Sequence, residues 1–194
     1  MARFPIMEDG WFARLTPLIR ANAESMEPGL SAEELSEIED RFGFAFGPDH
    51  RTFLESCVPV GKSWVDWRHG SFEDIDGRLK WPVDGILFHV ESGDFWPPGW
   101  GVRPSALAEA LRTAADRMQD APTLVPIFSH RYAPAAPSEP GAPVFSVYSS
   151  DVIYYGSDLL DYLRREFAGR LERQGIPKYV RFWSELAEGR EDDL

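Results

Sequence analysis

The chain has 194 residues, 43% hydrophobic and 13% aromatic, with 32 acidic against 20 basic side chains and a formal charge of −12. That length suits one sizeable core better than two domains, and the apolar content excludes a disordered chain. The charge disfavours nucleic acid and anionic lipid as partners, and a single cysteine, Cys57, excludes an intramolecular disulfide and a cysteine-rich metal site.

No 18 apolar residues run together, and Glu8 and Asp9 interrupt the opening MARFPIMEDGWF, so neither a membrane span nor a signal peptide is expected. The expectation is a soluble, cytoplasmic protein. Asp9 is the candidate cap of a first helix with Trp11, Phe12, Leu15, Leu18 and Ile19 on one face, kinked or restarted at Pro17. Ser31 and Glu34 make a capping box for a second helix with Leu35, Ile38 and Phe42 on its apolar face, stopped at Gly43. Pro48 suits the first position of a third helix running to about Cys57.

Beyond Gly61 the texture reads as β. Segments 63–67, 72–75 and 78–81 are short strand candidates, with Asp76-Gly77 as a two-residue hairpin turn, and 86–90 reads as a buried strand. FWPPGWG, 95–101, is irregular because of its prolines and glycines. A helix is expected from Pro104 to 118 with Leu107, Leu111 and Met118 on one face. A strand follows over 125–132, with Pro126 marking an edge or a bulge. A proline-stiffened loop leads to strands 144–148 and 152–155. Ser157 is then the expected cap of a helix with the stripe Leu159, Leu160, Leu163 and Phe167. An amphipathic piece, 179–186, precedes an acidic tail expected to be mobile. Helices first, a meandering antiparallel sheet and a closing helix predict an α+β fold in a single domain over 1–194.

Little in this pattern carries chemistry. His50, His69, His89 and His130 lack ligand spacing, and the calcium-like run around Asp74, Asp76 and Gly77 lacks carboxylates at its first and last positions, Phe72 and Val83. Cys57 falls on an apolar helical face, where a buried inert thiol is the usual case. Ser129, His130 and Asp151 invite a triad reading, but a histidine hydrogen-bonding a loop at a strand end is the commoner arrangement. No catalytic, metal or cofactor-binding residue is therefore assigned. The open features are surfaces: the acids Glu33, Glu34, Glu37 and Asp40, and the loop with Glu91, Asp94, Trp96 and Trp100, whose rings either form an aromatic anchor for a partner or, the commoner arrangement, fold back as a lid on the sheet. The basic run Arg164, Arg165, Arg170, Arg173, Lys178 and Arg181 is expected to complement the acidic helix around Glu33, Glu34, Glu37, Glu39 and Asp40, within the molecule or in a dimer, rather than to bind RNA.

Three stretches in order carry a family resemblance: GLSAEELSEIEDRFGFAFGPDHRTFLESC, LVPIFSH and VFSVYSSDVIYYGSDLLDYLRREF. They resemble the opening helices, central strand, and strand pair with final helix of the SUKH superfamily, which includes the Smi/Knr cell-wall regulator and bacterial immunity proteins. The resembling core covers about 30–168, with 169–194 as an extension. The family's glycine after the second helix is displaced to Gly61, and FWPPGWG departs from the general pattern. The resemblance implies a non-enzymatic protein-binding module without cofactors, such as an immunity protein neutralising a basic toxin, for example a nuclease. The alternatives are a scaffold or regulatory protein unrelated to toxins and, below it, an enzyme using His130 and Asp151. No nucleic-acid or membrane partner is expected, and the chain is expected to be a monomer or weak homodimer.

Overall fold

The computed structural model describes residues 11–169 and 175–194. Seven helices and two antiparallel sheets are described: α1 (Trp11–Ala21), β1 (Ser25–Pro28), α2 (Ala32–Phe42), α3 (Pro48–Ser56), β2 (Cys57–Val60), α4 (Phe72–Ser92), α5 (Leu107–Met118), β3 (Leu124–Phe128), β4 (Arg131–Pro134), β5 (Val144–Tyr148), β6 (Asp151–Gly156), α6 (Leu159–Ala168) and α7 (Trp183–Ala187). This is an α+β fold, as the order of elements predicts. β1 and β2 form a ribbon, and β3-β4-β5-β6 form a four-stranded meander.

The meander separates two cores because its side chains alternate across the pleat. Val125, Ile127, Ala133 and Val144 face one core with Leu15, Ile19, Leu35, Phe53, Leu54, Leu159 and Leu163. Leu124, Tyr132, Phe145, Val147 and Val152 face the other, with Ile86, Val90, Trp100, Ala110, Ala114 and Trp183. Helices therefore cover both faces of the sheet.

The capping box at α2 forms as its sequence dictates. Ser31 Oγ accepts from the Glu34 N–H at 3.2 Å, Glu34 Oε2 accepts from the Ser31 N–H at 2.8 Å, and Gly43 closes the helix at φ 72°. α3 has Pro48 in its first turn but ends at Ser56, so Cys57 opens β2 instead of lying on a helical face. α1 runs through Pro17 without a restart, and Leu18 is exposed where the apolar stripe placed it inward. The expected cap at Asp9 lies outside the described residues.

The largest correction concerns 72–92. These residues form one 21-residue helix, α4, in place of the predicted strands 72–75, 78–81 and 86–90 and the hairpin turn between the first two. Segment 63–67 is not a strand either. Trp64 makes a single bridge to Phe128 and packs its ring on Phe128 and Phe167.

Smaller corrections follow the same logic of local chemistry yielding to packing. α5 starts at Leu107, and its buried stripe is Ala110, Ala114 and Met118, leaving Leu107 exposed. The predicted strand 125–132 is two strands joined by a tight turn at Ser129, φ 50°. Pro126 lies in an edge strand beside a register shift, the place its missing N–H allows. Asp158, not Ser157, caps α6, accepting from the Asp161 N–H at 2.7 Å. Within 179–186 only the end is helical, as part of α7. The acidic tail is seated: it includes a 3-10 turn, Glu191–Asp193, and the backbone of Asp192 and Leu194 lies so close to Gly99 that a Cβ there would collide with it.

Candidate functional site

α4 holds together through its own sequence. Ser71 Oγ accepts from the Asp74 N–H at 3.1 Å, Asp74 pairs with Arg78 at 3.2 Å and Asp76 with Lys80 at 2.7 Å, and Gly93 terminates the helix at φ 87°. Ile75, Leu79, Pro82, Ile86 and Val90 recur at helical spacing and face inward. Pro82 has no N–H to give to the carbonyl four residues earlier. That carbonyl, of Arg78, accepts instead from the Tyr132 hydroxyl at 3.2 Å, which ties α4 to β4.

Farther along the helix, a Cβ on Gly85 would lie 2.8 Å from Ser149 Cα, and His89 Nδ1 meets Ser150 Oγ at 2.8 Å. The β5–β6 turn is thereby held against α4. An open groove of about 460 Å³ results, with Glu73, Asp74, Gly77, Arg78 and Trp81 of α4 on one wall. Ser129, His130, Tyr132 and Tyr148 form the other. Trp81, on a helix, is 49% exposed and Tyr148, at the end of a strand, 64%.

Within the groove Ser129 Oγ lies 3.1 Å from His130 Nδ1, and Tyr148 meets the His130 ring edge-on at 6.3 Å. Partial burial, then the Arg131 charge, hold His130 below its ordinary value, so it is neutral at pH 7. Asp151, the third member of the triad reading, pairs in register with Tyr148 but does not line the groove or hydrogen-bond to His130. The triad is not assembled.

A larger open groove, about 670 Å³, is lined by Pro122, Pro134, Pro137, Tyr179 and the charges Glu139, Lys178 and Arg181. Within it Lys178 donates to Glu139 and to the Pro140 carbonyl, each at 2.8 Å, and the Tyr179 hydroxyl donates to Glu185, while Ser138 Oγ is buried without a hydrogen-bond partner among the described residues. The smaller groove is the one with an exposed aromatic ring on each of its two walls.

The residues expected to bind a partner fall in two separate places. Glu33, Glu37 and Asp40 are exposed on α2, which packs into the first core. Glu34 is committed: it accepts from Arg68 at 2.6 Å, and that guanidinium brings its carboxyl down to about 2. Arg68 and Arg51, the latter 3.0 Å from Glu39, complement the α2 acids. Of the basic run, Lys178 pairs with Glu139 and Arg165 with Asp161, while Arg170 and Arg173 lie outside the described residues.

Glu91 and Asp94 are exposed at the end of α4, Asp94 accepting from Ser92 Oγ at 2.7 Å. The aromatic loop folds inward. Trp100 is 4% exposed among Phe95 and Trp96, and Trp96 donates its indole N–H to the Gly101 carbonyl at 2.8 Å. Trp100 is thus a core residue and no anchor for a partner.

Asp74 and Asp76 pair with helix cations in place of a calcium ion, and among the described residues no group of three or more His, Cys, Asp or Glu is placed to hold a metal. Burial pushes the Cys57 thiol up to about 11, which makes it inert. No helix of the described residues is long and apolar enough to cross a membrane. Sequence reasoning missed Glu73, Arg78, Trp81 and Tyr148 as one surface. The signal available was the i,i+4 ion pairs and the 75/79/82/86/90 spacing. No family model, curated protein or solved structure matches the chain.

Proposed function

We propose that this chain is a non-enzymatic protein-binding module of SUKH type that acts in the cytoplasm and docks a basic protein partner on the α4 groove. The observation that carries the reading is the placing of two large, substantially exposed aromatic rings, Trp81 of α4 and Tyr148 of β5, on the two walls of one open groove. Such rings supply much of the binding energy at protein interfaces. The charge of −12 favours a basic partner and fast, salt-sensitive association. An immunity protein that covers a basic toxin such as a nuclease meets both conditions.

The test is co-expression with toxin candidates encoded beside the gene, followed by binding measurements on the purified pair. The expected result is loss of toxicity and tight binding that weakens with salt. Replacing Trp81 and Tyr148 together by alanine is expected to weaken that binding at least about tenfold, while the melting temperature holds because both rings are substantially exposed. Candidates that neither bind nor lose toxicity would remove the immunity reading.

A further inference from the structure

The aromatic faces of this molecule are repeatedly capped by its own arginines. Arg41 lies over Phe42 and Phe72, Arg103 over Trp96, Arg131 over Tyr155 at 3.7 Å, and Arg190 over Tyr179. Among the described residues, no guanidinium covers Trp81 or Tyr148. The groove between those two rings also carries Glu73 and Asp74. Its one cation among the described residues, Arg78, is occupied by Asp74 at 3.2 Å and by the Lys62 carbonyl at 3.3 Å. Glu73 has no cation against it among the described residues. Over α4 as a whole five carboxylates stand against two cations, and the neutral His130 adds no positive charge to the opposite wall.

We propose, building on the protein-binding reading, that the α4 groove is a socket for a protruding arginine side chain of the partner, its guanidinium stacked on Trp81 and Tyr148 with Glu73 as counter-charge. Arginine fits this lining better than lysine because its planar, weakly hydrated cation stacks on aromatic faces and forks onto a carboxylate. A purely apolar side chain would leave Glu73 desolvated without compensation. A phosphorylated or acidic segment would meet the same carboxylates as a repulsion.

The probe is a tetra-arginine amide, compared with its tetra-citrulline counterpart, which keeps the shape and loses the charge. Each is titrated into the full-length protein with nitrogen-15 in the tryptophan indoles, the Trp81 signal being assigned from its absence in Trp81→Phe. The arginine peptide is expected to bind saturably and shift the Trp81 signal, and the citrulline peptide to do neither. Trp81→Ala should weaken binding roughly 2- to 30-fold. Glu73→Gln should weaken it and flatten its salt dependence, whereas the charge-matched Asp116→Asn on exposed α5 should leave it unchanged. Unchanged melting of each variant checks folding.

Equal binding of the citrulline peptide, an unmoved Trp81 signal or no saturable binding would overturn the socket. So would loss on neutralising Glu33 and Glu37 in place of Glu73, or a dimer in sedimentation that Trp81→Ala dissociates. A protein partner that binds Trp81→Ala as tightly as wild type removes the socket and leaves the binding-module reading intact. Specific tetra-arginine binding at Trp81 by a chain for which no protein partner can be reconstituted supports the socket and counts against that reading.

Discussion

His50 sits in α3 with its ring edge-on to Phe46 at 5.2 Å, Trp67 at 6.4 Å, and no hydrogen-bond partner for Nδ1. Burial drives its value down to about 3 from the usual 6.5, so the folded state accepts only the neutral ring. The unfolded chain takes up a proton near pH 6.5 and the folded one does not. Stability is therefore full above pH 6.5 and falls as pH drops toward 3, by roughly 2 kcal/mol at pH 5. Asp49 beside it works in the opposite direction. Burial raises its carboxyl, so the protonated form fits the fold better and acid returns part of the loss near the carboxylate range. Thermal melts from pH 7.5 to 4.5 should show a steady decline in wild type and a shallower one in His50→Leu. Equal slopes would show that His50 is not the group responsible. None of this was legible in the sequence, where His50 is one more polar residue after Pro48. Its burial comes from Phe46 and Trp67, and Trp67 lies outside its own helix. The capping box at Ser31 was legible because every partner lies within three residues.

At the scale of elements, α4 shows why local texture misled. Gly77, Pro82 and Gly85 all oppose helix, while Asp76-Gly77 between aromatic and branched residues resembles a hairpin turn. The buried stripe of Ile75, Leu79, Pro82, Ile86 and Val90 won, and each unfavourable residue acquired its own consequence. A Cβ at Gly77 would meet nothing within 4 Å, whereas one at Gly85 would lie 2.8 Å from Ser149 Cα. Gly77→Ala is expected to stabilise by about 0.5–1 kcal/mol. Gly85→Ala, the same change on the same helix, is expected to destabilise by about 1–3 kcal/mol, as overpacking does. Urea titrations check both, and a stabilising Gly85→Ala would mean that α4 does not press on the β5–β6 turn. The Pro82 bond gives a sharper test. Tyr132→Phe strips the Arg78 carbonyl of its donor and should cost about 1 kcal/mol. In a Pro82→Ala background the restored N–H can serve that carbonyl, and the same change should cost distinctly less. Additive costs in this double-mutant cycle would show that the hydroxyl does not stand in for the helix bond.

For the whole molecule, β5, β6 and the closing α6 were legible because alternating and helical apolar patterns persist through 144–167, whereas the β3–β4 hairpin read as one strand because the turn at Ser129 carries no glycine or proline. The second core was not. It is assembled from α4, α5, the inward-folded 95–100 loop and α7, segments far apart in sequence. The resemblance puts the core boundary near 168, yet Phe182, Trp183 and Leu186 lie beyond it and are buried against β6 and its neighbours. The Trp183 indole donates to the Pro122 carbonyl at 2.6 Å, so α7 also closes the entry to β3. A chain ending at 168 would uncover the far face of the sheet, with Phe145, Val147 and Val152 losing the cover of α7. Trp183→Ala alone should cost about 3–5 kcal/mol, a large share of a domain's net stability. The truncated chain is therefore expected to lose its cooperative urea transition and bind a hydrophobic dye. A chain of residues 1–168 that unfolds cooperatively at the wild-type midpoint would show instead that the meander and the first core fold without the C-terminal segment.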